Sequence, residues 1–189
     1  GVLVGFDKNN NTVYFKAFSG QIAGRWTVEG WAPPLPSINH ESPHYQREQK
    51  IIQTLGSKIR RWKELEPITS ERIRTARSEQ KQRSRSLLKA MWNSAKVYNF
   101  IGDERTLADI WTDASEKGNP PSGFGDCCAP KLLNFAAREG VQPVALAEMW
   151  LGAAPPGGGK LHGTFYPSCK EKCWHILGFS LCGCQKGLQ

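Results

Sequence analysis

All six cysteines of this chain fall between residues 127 and 184, as Cys127, Cys128, Cys169, Cys173, Cys182 and Cys184. A secreted disulfide framework spreads its cysteines along a short chain. Crowding into the last third of 189 residues instead favours metal or thiol chemistry in a reducing compartment, cytoplasmic or organellar. Buried free thiols are the plainer alternative, because reduced cysteine packs readily in cores. Four of the six share one local grammar, in which cysteine stands where a loop enters a helix: Gly125-Asp126-Cys127-Cys128-Ala129-Pro130-Lys131, and Tyr166-Pro167-Ser168-Cys169-Lys170-Glu171-Lys172-Cys173. A helix N-terminus stabilises thiolate, and thiolate is what zinc binds. Cys169 and Cys173, four residues apart, are expected on one face of a final helix that starts near Pro167 or Ser168. A third thiolate from Cys127 or Cys128 then makes a zinc site with an open fourth position, the catalytic kind. If both ligate, the site closes and is structural. Cys182 and Cys184 lie beyond the helix and are not expected to be ligands.

The rest of the chain reads as one α/β domain over 1–189. Val2–Phe6 and Val13–Phe18 form a β-hairpin around an Asp/Asn turn, and a Gly/Pro-rich connection over 20–46 is held by Trp26 and Trp31. Helical spacing of Ile51, Ile52, Leu55, Ile59, Trp62 and Leu65 runs until Pro67, and a second helix capped by Thr69 or Ser70 continues toward Phe100. A helix over 127–139 ends at Gly140, and 141–151 follows as a strand. No apolar run is long enough to span a membrane and no secretory leader is visible, so a soluble chain is expected. The Gly1 start, without Met, suggests a piece of a longer polypeptide or a processed product.

Charge is concentrated. The formal net charge is +8, and residues 47–89 hold 13 of the 25 Lys and Arg but only 5 of the 17 Asp and Glu, so this helical hairpin (47–100) accounts for the whole excess. Arg74, Arg77, Lys81, Arg85 and Lys89 follow one another by three or four residues and form one helical stripe about 22 Å long. That length meets several phosphates, which makes nucleic acid the natural partner. A merely solvated face is the bland alternative.

The hairpin, a helix with a first ligand, a strand, and a helix opening on Pro167-Ser168-Cys169 with Cys173 together look like the core of the zinc-dependent nucleobase deaminases. In that family the first helix opens with His or Cys, any residue, and Glu; the second opens with Pro-Cys, two residues, and Cys. The resemblance implies a deaminase-like three-layer core, interrupted here by the basic helical hairpin, with Cys128 (or Cys127), Cys169 and Cys173 as zinc ligands. Three residues rather than two separate Cys169 from Cys173, and Pro130 stands where Glu would follow Cys128-Ala129. The family's proton shuttle is therefore missing from its place. Asp126 and Glu148 are the nearby carboxylates that would substitute, and His162, five residues before Pro167, is a further candidate for contact with metal or substrate. Tyr166 and Trp174 would stack on a base or pack in the core, and Lys131 reads as a surface lysine.

Over nearly its whole length the chain also resembles the extension upstream of the catalytic domain in some bacterial pseudouridine synthases of the RluA type. The stretches that carry this are Gly1-Val2-Leu3-Val4, Ala17-Phe18-Ser19-Gly20, Gln82-Arg83-Ser84, Cys127-Cys128-Ala129-Pro130-Lys131-Leu132-Leu133, Ala147-Glu148-Met149-Trp150, His162-Gly163-Thr164-Phe165-Tyr166-Pro167 and Lys172-Cys173. It implies RNA as the nucleic acid and a pseudouridine synthase, covalently joined or separate, as partner. The synthase's Arg-Leu-Asp motif is not in this sequence, so the chain is not expected to isomerise uridine by itself. Three functions are thus set against one another: a zinc-stabilised, deaminase-like RNA-binding domain in RNA modification, an active cytidine or adenosine deaminase, and a structural-zinc or thiol-redox protein.

Overall fold

The computed structural model describes residues 1–36, 40, 42–114, 118–155 and 157–184. Along the chain run β1 (Val2–Phe6), β2 (Thr12–Lys16), α1 (Pro43–Leu65), α2 (Glu71–Ser94), β3 (Lys96–Tyr98), β4 (Glu104–Thr106), α3 (Leu107–Ala114), α4 (Cys128–Glu139), β5 (Gln142–Ala147) and α5 (Cys173–Ser180). The fold is mixed α/β, as expected.

Alternation builds the main sheet. β1 and β2 pair antiparallel from Val2↔Lys16 to Phe6↔Thr12, and β5 pairs antiparallel on the other side of β1, giving the order β2-β1-β5. Pro143 cannot donate to a ladder, and it sits beside a register shift in this edge strand, where a missing N–H is tolerated. Leu3, Val13, Phe15 and Leu146 pack against Leu132, Leu133 and Ala136 of α4, with Phe15 and Phe135 edge-to-face at 4.8 Å. The opposite face carries Val2 and Tyr14, which are 46% and 69% exposed.

A second core gathers Trp92, Val97, Leu107, Ile110, Phe124 and Ile176. Through Ile176 here and Leu177 in the first core, α5 joins the two. The basic hairpin has a small core of its own, Ile59, Ile73 and Ala76 with Leu55 and Trp62. Its helices start on serine caps: Ser42 Oγ accepts from the Tyr45 N–H, with Pro43 in the first turn, and Ser70 Oγ accepts from the Ile73 N–H. Trp31 anchors the long connection on Phe18, whereas Trp26 stacks on His40 within the connection itself.

Several expectations need correction. The second helix stops at Ser94, because residues 96–98 pair with 104–106 around a turn in which Asn99 Oδ1 accepts from the Ile101 and Asp103 N–H groups. The final helix starts at Cys173, so Cys169 lies in the turn before it and the two do not share a helical face. The last strand ends at Ala147, and beyond it the chain makes an isolated Met149↔Phe165 bridge. Among the described residues no helix is long and apolar enough to cross a membrane.

Two glycines turn the chain on either side of α4. Gly140 (φ 68°) ends the helix in the left-handed region with open space where a Cβ would stand, whereas a Cβ at Gly125 (φ 91°) would lie 2.8 Å from Leu107 Cδ1 and 3.0 Å from Leu35 Cδ1. Gly140→Ala should therefore cost about 1 kcal/mol, the left-handed penalty alone, and Gly125→Ala about 2–3 kcal/mol. Urea unfolding checks this order; equal midpoints for the two variants would contradict the close approach under Gly125.

Candidate metal centre

Three sulfurs converge where α4 and α5 begin. Cys127 is the N-cap of α4, Cys169 ends the loop ahead of α5, and Cys173 is the first residue of α5. Their Sγ atoms all lie within 4.8 Å of one another, with Cys169 and Cys173 3.4 Å apart. Four thiolates or equivalents around zinc at about 2.3 Å place sulfurs about 3.8 Å apart, a spacing inside the observed span. The donor set therefore fits zinc with small adjustment. Cys173 is buried, Cys127 intermediate and Cys169 exposed, so the cluster opens to solvent on the Cys169 side, and all six cysteines are free of disulfides.

Cys128 does not join them. One residue further along the helix turns its side chain about 100° away. Its Sγ donates to the Ala17 carbonyl at 3.3 Å, lies 3.3 Å from Ser19 Oγ, and packs in the core between the hairpin and α4. Of the two candidates for the first ligand, the structure selects Cys127. Cys182 lies past α5 with its Sγ toward the Gly178 carbonyl, outside the cluster.

The electrostatics favour an anionic sulfur at Cys127. The hydrogen bond from the Cys173 thiol, helped by Lys172, pulls Cys127 down to about 7, against its burial and the charges of Glu148 and Asp126. Cys173, the donor in that bond and itself buried, is pushed up. A metal held by the three sulfurs would replace this proton sharing and release the protons.

Glu148, just past β5, closes the neighbouring side. Its Oε1 accepts from the Ala129 N–H in the first turn of α4 at 2.9 Å, and its Oε2 accepts from Ser168 Oγ at 3.2 Å. One carboxylate thus satisfies an otherwise orphan helix-terminal donor and ties α4 to the loop that carries Cys169. Asp126 is half-buried, and this burial raises its pKa against the opposing pull of Lys131 and Lys172. Lys131 corrects the expectation of a surface lysine. It is 2% exposed, its Nζ donates to the carbonyls of Phe18 and Gly20, and burial lowers its pKa. Its position follows from the first turn of α4, which is covered on every side. His162 serves elsewhere, with Nδ1 accepting from the Gly152 N–H, and it is not among the clustered groups. Tyr166 is pinned by the Leu161 N–H, whereas Trp174 is 52% exposed.

The basic stripe is intact on α2. Arg74, Arg77, Lys81, Arg85 and Lys89 are all exposed, and no ion pair engages them among the described residues. Arg72 and Arg83 on the same helix are held instead by Glu66 and by Glu48 and Glu79. Compared with known proteins, the chain matches no family model, no curated protein and no solved structure.

The geometry predicts which cysteines carry metal. Protein purified without added zinc should hold an equimolar amount by elemental analysis, and Cys127→Ser, Cys169→Ser and Cys173→Ser should each lose it. Cys128→Ser should keep the metal while losing about 1–2 kcal/mol of stability, because a buried hydroxyl replaces a soft sulfur. Metal lost from Cys128→Ser in a protein of unchanged stability would reverse the assignment of the two neighbours.

Proposed function

We propose that this chain is a zinc-binding, deaminase-like domain that binds nucleic acid, RNA in particular, and acts in RNA modification beside a pseudouridine synthase of the RluA type. The observation that carries the reading is the convergence of Cys127, Cys169 and Cys173 at two helix starts behind a β-hairpin, in the order hairpin, helix, strand, helix that the deaminase resemblance implies. The cations of the α2 stripe, without ion pairs among the described residues, support the nucleic-acid half, since cations already neutralised by partners would add little to phosphate binding. A closed four-thiolate centre would need a fourth sulfur. Cys128 is the neighbouring one, and it is engaged with Ala17 and Ser19.

A second reading, an active nucleobase deaminase, is favoured by Glu148. Counted from Cys127, Ala129 occupies the place of the family's Glu, and the carboxylate of Glu148 is bonded to the Ala129 N–H. The shuttle that the motif lacks is thereby offered from the end of β5. An open cavity of about 290 Å³ adjoins it, lined by Glu148, Phe165, Tyr166 and Ser168, with aromatic walls suited to a flat ring. Zinc bound by the three thiolates would supply Lewis acidity for hydrolytic loss of ammonia; Cys127, Cys169 and Cys173 would hold it. The role left to Glu148 is to hold and move a proton, and the role left to Phe165 and Tyr166 is to orient the base.

Two experiments divide these readings. Fluorescence anisotropy with single-stranded RNA should show binding that weakens with salt. Replacing Arg77, Lys81 and Arg85 with Gln should flatten the slope of log K against log salt by about 2 and leave the zinc in place. An unchanged slope would remove α2 from the interface. Ammonia release from RNA or single-stranded DNA, lost by about 10²–10⁴-fold in Glu148→Gln with zinc retained, would establish the enzyme. Binding without ammonia release on any such substrate leaves the binding domain.

A further inference from the structure

Apart from the thiol trio and the α2 stripe, an open cavity of about 740 Å³ lies between the loop of residues 21–27 and the first half of α1. Among the described residues no carboxylate lines it. Its two charges are Arg25 and Lys50, and neither has an ion-pair partner among the described residues. Gln46, Gln49 and Gln53, spaced by three and four residues along α1, add amides to the same wall.

His40 completes the lining. It is 6% exposed, and neither ring nitrogen has a hydrogen-bond partner among the described residues. The ring is fixed by Trp26, stacked on it at 3.6 Å with planes 4° apart, and by the edge of Tyr45 at 4.9 Å. Burial, then the charge of Lys131, draws its pKa down to about 4, so at neutral pH it offers one donor and one acceptor. A buried polar pair left unmet is unfavourable by about 1–3 kcal/mol per group, which is recovered when a bound molecule supplies the complement. A nucleobase edge presents donors and acceptors side by side, its ring suits a tryptophan with surface to spare, and its phosphate suits two cations without ion pairs among the described residues.

We infer that this cavity is a second, zinc-independent binding site for a nucleotide, with the base against Trp26 and His40 and the phosphate on Arg25 and Lys50. The ligand is either a free mononucleotide or one residue of an RNA strand, and the chemistry of recognition is the same.

Isothermal titration of the full chain with AMP, CMP, GMP and UMP, with inorganic phosphate, and with an RNA tetranucleotide tests it. At least one nucleotide or the tetranucleotide should bind at least tenfold more tightly than phosphate. Arg25→Glu and Lys50→Glu, both at exposed positions, should each weaken that binding tenfold or more with an unchanged circular dichroism spectrum. Cys169→Ser protein should bind as the wild type does, which separates this site from the metal reading. Tight binding of the tetranucleotide alone supports the site and makes its ligand part of a strand. No binding by any nucleotide or by the tetranucleotide at millimolar concentration overturns the proposal, as does binding indifferent to both Glu variants. Phosphate binding equal to that of the nucleotides overturns it too.

Discussion

The arrangement around the thiols depends on how the N-terminus of α4 is satisfied. A helix start leaves several N–H groups without intrahelical partners, and Cys127, the residue in the capping position, makes no side-chain cap hydrogen bond. Glu148 reaches in from the end of β5 and accepts from Ala129, and its other oxygen holds Ser168, the residue before Cys169. The sulfur of Cys127 is thereby left free to face Cys173 instead of serving the helix backbone. The pairing of β5 with β1 fixes where Glu148 emerges, so the first hairpin, distant in sequence, sets the position of the thiol centre.

Charge is partitioned in the same economical way. The body of the molecule sets the half-buried Asp126 close to the buried Lys131, where each tempers the cost of the other's desolvation. The hairpin of α1 and α2 exposes its cations instead, and on α2 only Arg72 and Arg83 are neutralised by neighbouring acids among the described residues. Held by a small core at Ile59, Ile73 and Ala76 and rooted through Trp92 in the second core, α2 presents its stripe on a rigid element. Between these regions, His40 lies near enough to Lys131 to feel its charge, which links the cavity beside α1 to the interior behind the cysteines.

Much of this was legible in the residues. Alternation predicted the first hairpin, and Gly140 marked the end of α4. The entry of cysteine into helices announced the thiol centre, and the spacing of Arg74 to Lys89 its basic face. The choice between Cys127 and Cys128 was not legible, because it turns on which side of the helix meets the β1–β2 core. Nor was the burial of Lys131, since composition treats lysine as a surface residue until tertiary contacts cover the whole turn. The short helix α3 did carry a readable signal that sequence reasoning missed. Thr106 and Asp109 form a reciprocal capping box, with Thr106 Oγ1 accepting from the Asp109 N–H and Asp109 Oδ2 from the Thr106 N–H. The loop start of Cys169 shows the opposite case, in which helical spacing with Cys173 suggested a shared helix although the chain only turns there.

We propose that Cys127, Cys169 and Cys173, and not Cys128, hold zinc through three thiolates with the fourth position open. X-ray absorption at the zinc edge of the purified protein tests it most directly. Three sulfur scatterers at about 2.3 Å and one lighter oxygen or nitrogen scatterer near 2.0 Å are expected. A shell of four sulfurs would show the centre closed by another cysteine and overturn the three-thiolate assignment.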